Sequence, residues 1–329
     1  MGLTKFPNGI LATPNIGGCD RSEMFESGNI WFVDGDNGSA SNAGTSPDVS
    51  FALPTTAVTA ASMRGIVYVR PRDTVAAAQT YYVDNITIPL TKSHLQILGC
   101  APDSSMPYFG PMIKASTVTS PVLIIKSAGC LIEGLELTGT GQTADVTSIV
   151  ETQNNGTTTR AYGVTIRGNT FRNAKGHTIG LGAALHMDTA IYMKIQGNLF
   201  RDNPVSIVFQ TTYAAVNSLI IQKNVFSGPV ATRDVDIWCD GSAGTGLLIH
   251  DNQFPDALPA LTDGAIKKYI SLNAGLYGMV SENKFGYAAG TADALFAATG
   301  TIANIPTTVM MVNNQVQMDG EGETGVLTV

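Results

Sequence analysis

The residues most able to do chemistry lie in one acidic segment, RDVDIWCDG, at Arg233–Gly241. In a strand, alternation directs Asp234, Asp236, Trp238 and Asp240 to one face and the apolar residues between them to the other. Carboxylates two strand positions apart are about 6.6–6.8 Å from each other. That distance is at the short end of the roughly 6.5–9.5 Å between the carboxyl groups of inverting glycosidases. Because a tryptophan beside them can stack on a sugar ring, Asp234 and Asp236 form a candidate catalytic pair.

Two later residues, Lys267 and Tyr269, would join this strand if successive segments stack. Together with Trp238 and Asp240 they form a candidate glycan-binding surface. An acidic strand is also an ordinary solvent-facing surface, and nothing in the sequence raises the pKa of either carboxylate. We therefore expect no catalytic residues and keep Asp234 and Asp236 as the alternative.

The other polar candidates are weaker. His186 and Asp188 share a strand face in LHMD, but two ligands without a third do not make a metal site. We expect Glu133 and Glu136 to be isolated, solvated acids. No G-x-S-x-G elbow, phosphate-binding loop or dinucleotide fingerprint is present in the sequence. The sequence therefore predicts neither a metal nor a cofactor.

The fold that positions these residues is indicated by a short repeated sequence motif, here called the repeated phrase. Its positions are apolar, any, apolar, any, any, Asn, any, and Phe or Val. Its copies are VTIRGNTF, MKIQGNLF, LIIQKNVF and LLIHDNQF, with looser copies GMVSENKF and VMMVNNQV. The anchoring residues are Asn169, Asn198, Asn224, Asn252, Asn283 and Asn314. Successive asparagines are 29, 26, 28, 31 and 31 residues apart. CLIEGLEL and LQILGC fit the same apolar frame, with Leu135 or Cys100 at the asparagine position.

This phrase predicts a β-solenoid. Its apolar residues alternate with period two, which is typical of a strand with one buried face. We expect the asparagine itself to take a left-handed backbone at a corner after each strand. One corner per repeat indicates an all-β, right-handed parallel β-helix of about eight coils, in which the asparagines stack as a structural ladder. The alternative is an antiparallel β-sandwich, whose strands recur every 8–12 residues or so.

The chain divides into four predicted parts. Residues 1–29 are an extended arm, 30–63 an opening strand and capping helix, 64–318 the β-helix, and 319–329 a tail. Because the arm shows no sustained period, we expect it either to be disordered or to become ordered against a partner. In the helix we expect Leu53, Ala57, Ala60 and Ala61 on one face, with Thr55 or Thr56 as the cap. We expect the tail either to pair with another subunit's edge or to fray.

The composition excludes two classes of partner. Charged residues make up 14% of the chain and the net charge is −7, so no excess of lysine and arginine is available for phosphates or anionic lipid. We therefore expect neither nucleic-acid binding nor membrane insertion. The first ten residues also match neither a secretory signal nor a myristoylation pattern, which predicts that the protein is not exported by a signal peptide.

The run from Trp31 to Ala61, followed by YYVDNITIP and LQILGC, resembles the start of right-handed parallel β-helix proteins of the pectate-lyase-like superfamily. The resemblance covers roughly residues 30–318. It implies the fold and leaves the activity open, because this fold carries lyases, hydrolases, phage tailspikes and inert structural proteins. Pectate lyases of the superfamily commonly use calcium held by stacked carboxylates, a set that this sequence lacks. The opening MGLTKFPNGI is similar to that of phage virion proteins with a short extended arm.

These similarities favour a non-enzymatic structural component of a phage virion, a capsid decoration or short spike on the virion surface after assembly in the host cytoplasm. Phage β-helices as a class imply a homotrimer. The arm would bind capsid or tail proteins through Phe6, Ile10, Leu11 and Ile16. Two alternatives remain: a depolymerase of the glycoside hydrolase type acting on bacterial surface polysaccharide, and an adhesin that binds host glycan without cleaving it.

Overall fold

The computed structural model describes most of the chain from residue 30 onward. The described residues are 30–72, 80–100, 110–143, 147–154, 158, 160–175, 182–188, 190–210, 216–228, 234–240, 243–255, 268–288, 303–318 and 324–327. The predicted arm, with Phe6, Ile10, Leu11 and Ile16, lies outside them.

Three sheets wind around a common interior, and successive coils add one strand to each sheet. The first sheet contains β1 (Ile30–Val33), β2 (Ile66–Val69), β5 (Gln96–Gly99), β8 (Leu131–Glu133), β11 (Thr165–Arg167), β14 (Lys194–Gln196), β17 (Val216–Asn217), β18 (Ile220–Gln222), β21 (Gly244–His250), β24 (Leu276–Ser281) and β27 (Val309–Val312). The second contains β3 (Tyr82–Val83), β6 (Met112–Lys114), β9 (Glu136–Thr138), β12 (Thr170–Arg172), β15 (Leu199–Arg201), β19 (Val225–Ser227), β22 (Gln253–Phe254), β25 (Lys284–Ala288), β28 (Asn314–Met318) and β29 (Thr324–Leu327). The third contains β4 (Ile86–Ile88), β7 (Leu123–Ile125), β10 (Val150–Thr152), β13 (Leu185–Met187), β16 (Val205–Gln210), β20 (Val235–Asp240), β23 (Lys268–Ser271) and β26 (Ala303–Asn304).

The strands of neighbouring coils pair in parallel, which confirms the predicted all-β solenoid and excludes the antiparallel sandwich. Only the final pair, β28 with β29, is antiparallel among the described strands. The coil count differs slightly from the expected eight. The solenoid comprises about six turns, and the shortest sheet has eight strands when those at the ends are included.

The copies of the repeated phrase stack in register. Ile166 pairs with Ile195, which pairs with Ile221 on the following coil. The phenylalanine that ends each phrase lies over its equivalent in the next coil, with ring centroids 4.8–5.0 Å apart over the described copies. These four stacked contacts join Phe171, Phe200, Phe226, Phe254 and Phe285. The apolar positions of the phrase therefore form one continuous core along the rod.

The six predicted ladder asparagines are buried and linked to one another. At Asn224, the amide Nδ2 donates to the Ile195 carbonyl and to Oδ1 of Asn252, each at 3.0 Å. Its own Oδ1 accepts the backbone N–H and the Nδ2 of Asn198, at 2.9 and 3.0 Å. The column begins at Leu135, whose backbone N–H donates to Asn169 Oδ1 at 3.0 Å. The side chains thus satisfy backbone groups that water cannot reach.

The ladder residues do not take the left-handed backbone that we expected. The residue immediately before each asparagine does, with φ between 51° and 62°. These residues are Gly168, Gly197, Lys223, Asp251, Glu282 and Asn313. The corner is therefore made one position earlier, which leaves the asparagine free to point its amide along the rod axis.

The N-terminal end of the rod is covered by its own chain. The N–H of Phe51 donates to the Phe32 carbonyl at 2.8 Å, and the N–H of Phe32 donates to the Gly44 carbonyl at 2.8 Å. The rings of Trp31 and Phe51 stack with centroids 6.0 Å apart. This segment occupies backbone groups of β1 that would otherwise be open at the sheet edge.

Helix α1 (Pro54–Ala60) completes the cover, but Thr55 and Thr56 do not cap it as we expected. Its N-cap is Leu53, which offers no capping side chain, because Pro54 begins the helix before either threonine. Asp84 Oδ2 accepts the Thr55 N–H instead, at 2.7 Å. The predicted helix face is also only partly right, since Ala57 and Ala61 are buried while Leu53 is 38% exposed and Ala60 is exposed.

The opposite end of α1 is satisfied by a lysine from the coil beneath. Lys92 Nζ donates to the carbonyls of Val58, Thr59 and Ala61 at 2.7, 2.6 and 2.5 Å. A cation at the C-terminal end of a helix is favoured by the helix dipole. The two ends of the helix are therefore fixed by residues far along the chain.

The C-terminal segment pairs with its own chain. Strand β29 lies antiparallel to β28, with Gln315 opposite Val326 and Gln317 opposite Thr324. In its described part, Thr324–Leu327, the tail therefore covers the edge of β28 in the second sheet.

Replacing one ladder residue tests the amide column. In Asn224→Ala the buried backbone N–H and the Nδ2 of Asn198 lose their shared acceptor, and the carbonyl of Ile195 loses the amide donor. Each unsatisfied buried group costs about 1–3 kcal/mol, so we expect a loss of about 2–4 kcal/mol in the free energy of unfolding. Urea denaturation followed by circular dichroism measures this. The exposed Asn217→Ala is the matched control, and an equal loss in both variants would contradict the role of the column.

Candidate functional site

The acidic segment forms β20, which lies between β16 and β23 in the third sheet. Ile237 pairs with Ile207 on one side and Ile270 on the other. The predicted strand and its stacking against the Lys267–Tyr269 segment are therefore both present, although Lys267 itself lies outside the described residues.

Asp236 does not face solvent as we expected. It is only 1% exposed, and Ser206 Oγ lies 3.3 Å from its Oδ1. The residues at the same level of other coils, Ala184 and Tyr269, belong to the main hydrophobic core. Simple alternation fails here because Asp236 and Ile237 are both buried where the strand begins. Asp234, just before β20, is half-buried, so the two carboxylates do not form an outward pair.

The predicted glycan-binding residues also separate. The Tyr269 ring lies in the core, with its centroid 5.3 Å from those of Phe254 and Phe285, so its expected position on the outer surface is wrong. Trp238 is on the outer face and half-buried, packed against the small cluster that contains Val208. Asp240 ends the same strand.

Pairing between coils creates a second polar group on the same sheet. Glu151 in β10 pairs directly with His186 in β13. His186 Nε2 is 3.9 Å from Asp188 Oδ1, and Gln153 Nε2 donates to Glu151 Oε2 at 3.3 Å. We call Glu151, His186 and Asp188 the acid–histidine cluster. The sequence indicated only His186 and Asp188; Glu151 is 35 residues before His186 and is revealed only by the register.

Burial makes the ionised forms of the two carboxylates in this cluster less favourable. Burial raises the pKa of Glu151 and the pKa of Asp188 above their usual values, and the nearby His186 opposes both shifts. The carboxylates therefore lose hydration that the neighbouring groups do not fully replace. Among the described residues, no group of three or more His, Cys, Asp or Glu side chains could hold a metal ion.

Glu133 and Glu136 contrast with this cluster. Each pairs with an arginine of the following coil, Glu133 with Arg167 at 2.9 Å and Glu136 with Arg172 at 2.5 Å. Glu136 is 2% exposed, and its burial raises its pKa while Arg172 lowers it. The expectation that these two acids are isolated and solvated is wrong, because the register places a basic side chain beside each.

Comparison with known proteins leaves the family open. No protein-family model matches the chain, and no curated protein matches it either. The fold is that of a parallel β-solenoid, consistent with a β-helix superfamily. Within the described part of the chain, no helix has the length and hydrophobicity needed to cross a membrane.

Substituting Glu151→Gln tests the electrostatics of the cluster. Burial raises the folded-state pKa of Glu151 above its unfolded-state value, so the protonated side chain favours the folded state. This contribution to stability is fully present below the unfolded-state pKa and is lost as pH rises through the folded-state pKa. We therefore expect Glu151→Gln to raise the free energy of unfolding at neutral pH and to change it little in acid. Urea denaturation across this pH range measures the effect. Glu133→Gln, which breaks the pair with Arg167, serves as the control and should show no such gain.

Proposed function

We propose that this chain is a non-enzymatic structural component of a phage virion, a capsid decoration or short spike exposed on the particle surface. The observation that carries the proposal is the continuity of the interior. The amide column runs from Leu135 to Asn314, and the phenylalanine stack lies beside it. The coils from Leu135 to Asn314 are thereby bonded to their neighbours, as a rod that must keep its shape outside a cell requires.

The covered ends support the same proposal. The segment around Phe51 and helix α1 protects the first coil, and β29 protects the edge of β28. Protected edges limit the uncontrolled strand pairing that makes an exposed β protein aggregate. A protein displayed in many copies on one particle needs this protection.

Attachment is assigned to residues 1–29. They contain Phe6, Ile10, Leu11 and Ile16 but no repeat of their own, so a capsid or tail protein would bury these apolar side chains. The rod would then project from the virion surface after assembly in the host cytoplasm, as the homotrimer that the resemblance implies.

Particle composition and attachment test this proposal. In particles of the phage that encodes the chain, we expect the protein to co-purify through density-gradient centrifugation. Phe6→Asp combined with Leu11→Asp should reduce co-sedimentation about tenfold or more, because two buried apolar anchors are lost. Quantitative immunoblotting of the particle fraction measures the reduction.

The matched control replaces two exposed apolar residues of the segment that covers the first coil, Leu53→Asp with Met63→Asp, at 38% and 53% exposure. These changes should leave co-sedimentation intact. Absence of the wild-type chain from purified particles would overturn the proposal, and equal loss in both double variants would overturn the role of the arm.

A glycan-binding adhesin is the second candidate, favoured by the partly exposed ring of Trp238 on the outer face. Aromatic rings on a protein surface stack on sugars. The depolymerase alternative has less support, since Asp236 is buried.

Host polysaccharide immobilised on a sensor surface tests this second candidate. We expect the wild-type chain to bind without releasing reducing ends, and Trp238→Ala to weaken binding about tenfold. Release of reducing ends that Asp236→Asn abolishes would instead favour the depolymerase. Binding that is unchanged in Trp238→Ala would exclude this surface as the glycan site.

A further inference from the structure

Two tyrosines are exposed on adjacent coils at the corner where the chain enters the first sheet. Among the described large apolar side chains, Tyr192 has the largest exposed fraction, 62%, and Tyr162 on the preceding coil is 41% exposed. The N–H of Gly163 donates to the Ile191 carbonyl at 2.9 Å, so the two segments are direct neighbours. We call Tyr162, Gly163, Ile191 and Tyr192 the tyrosine platform.

Tyr192 occupies a backbone conformation that is costly for a tyrosine. Its φ is 52°, and the residues at the same corner of the neighbouring coils, Gly163 and Ser218, have φ values of 66° and 56°. Each lies two residues before the first residue of β11, β14 or β18. A left-handed backbone favours glycine and is rare for a bulky residue. The corner would form more easily with glycine, which indicates that the exposed ring has a use other than packing.

The Tyr192 ring has open space beside it. A methyl group built on Gly163 would meet, among the described residues beyond its chain neighbours, only backbone atoms of Gly129 within 4 Å, at 3.8 and 3.9 Å. The Tyr192 side chain therefore does not fold back onto the preceding coil. The surface over Gly163 is left open beside this ring and next to Tyr162.

Polar groups border the platform on the following coil. Ile191 pairs with Asn217 in a parallel bridge, and the Tyr192 N–H donates to the Asn217 carbonyl at 2.7 Å. Asn217 is exposed, and its Oδ1 accepts the Ser218 hydroxyl at 3.1 Å. An amide and a hydroxyl are thus present at the edge of the aromatic surface, where they can bond to the hydroxyl groups of a ligand.

We propose that the tyrosine platform binds one pyranose ring of a glycan. Tyrosine offers an apolar ring face together with a polar tip, which matches a sugar whose ring face is lined with C–H groups and whose rim carries hydroxyls. Adjacent coils are about 4.8 Å apart, so a ligand over Gly163 can contact both tyrosines. Asn217 and Ser218 are then placed to bond to the rim of the sugar.

A sugar fits this surface better than a protein partner does. A stable protein–protein interface buries about 800 Å² on each partner. The platform is one corner of two coils and ends at the polar Asn217, so its apolar part is far smaller than such an interface. Contact with a second copy of the chain is therefore an outcome that the experiment must separate from sugar binding.

NMR titration of the purified chain, with 13C-labelled tyrosine rings, tests the platform. The probes are the methyl glycosides of glucose, galactose and mannose, and glycerol at the same hydroxyl concentration is the reference. We expect at least one glycoside to shift the ring signals of Tyr162 and Tyr192. The ring signal of Tyr277, which is 54% exposed at another coil of the first sheet, should stay in place.

The variant Tyr192→Gly separates binding from folding. Glycine adopts the left-handed backbone without strain, so this variant should be at least as stable as the wild type in urea denaturation. Its affinity for the glycosides should fall about tenfold, because the stacking surface is lost. Tyr192→Phe keeps the ring and should retain most of the affinity. Tyr277→Ala is the matched control and should bind as the wild type does.

Three results would overturn the proposal. The first is that no glycoside shifts the platform signals, and the second is that Tyr192→Gly binds as tightly as the wild type. The third is self-association in sedimentation analysis that Tyr192→Gly abolishes while no glycoside binds, which assigns the platform to contacts between copies. The test requires no particle, and the tyrosine signals report this corner alone, so its outcome is independent of the virion proposal and of the surface around Trp238.

Discussion

The constraint on which this fold depends is the satisfaction of buried backbone groups at one corner of the coils from Leu135 to Asn314. Inside the rod no water reaches the N–H and C=O groups where the chain turns. The asparagine column supplies their partners: one amide serves the coil on each side, as Asn224 does between Ile195 and Asn252. A single residue type at one corner therefore holds neighbouring coils in register.

This register has consequences at the surface as well as in the core. It places like residues above one another inside, where phenylalanine rings stack, and it places charged residues of successive coils side by side outside. Glu136 meets Arg172, and a buried carboxylate is thereby compensated. Glu151 meets His186 instead, and its charge is compensated only in part. The same register thus gives a salt bridge for Glu136 and a histidine neighbour for Glu151.

The first coil of the solenoid is stabilised by contacts that differ from those within the repeats. A solenoid can propagate indefinitely, so its first coil needs contacts that no repeat supplies. Here the cover is held by Asp84 and Lys92, which bind the two ends of α1 through backbone groups. Both contacts come from outside the helix's own sequence, and neither threonine caps the helix because Pro54 begins it before them.

The amino-acid sequence by itself determined the solenoid and the asparagine column, because period-two alternation is present within each repeat and the asparagine recurs at the same position of successive repeats. Only the tertiary structure decided which groups meet. Asp236 and Tyr269 face the interior because alternation breaks where a strand begins at a corner. Glu151 lies opposite His186 because loops of unequal length bring distant residues to equivalent positions on neighbouring coils. The energy of a contact between two coils depends on both coils, so it cannot be read from the segment that carries one of the residues.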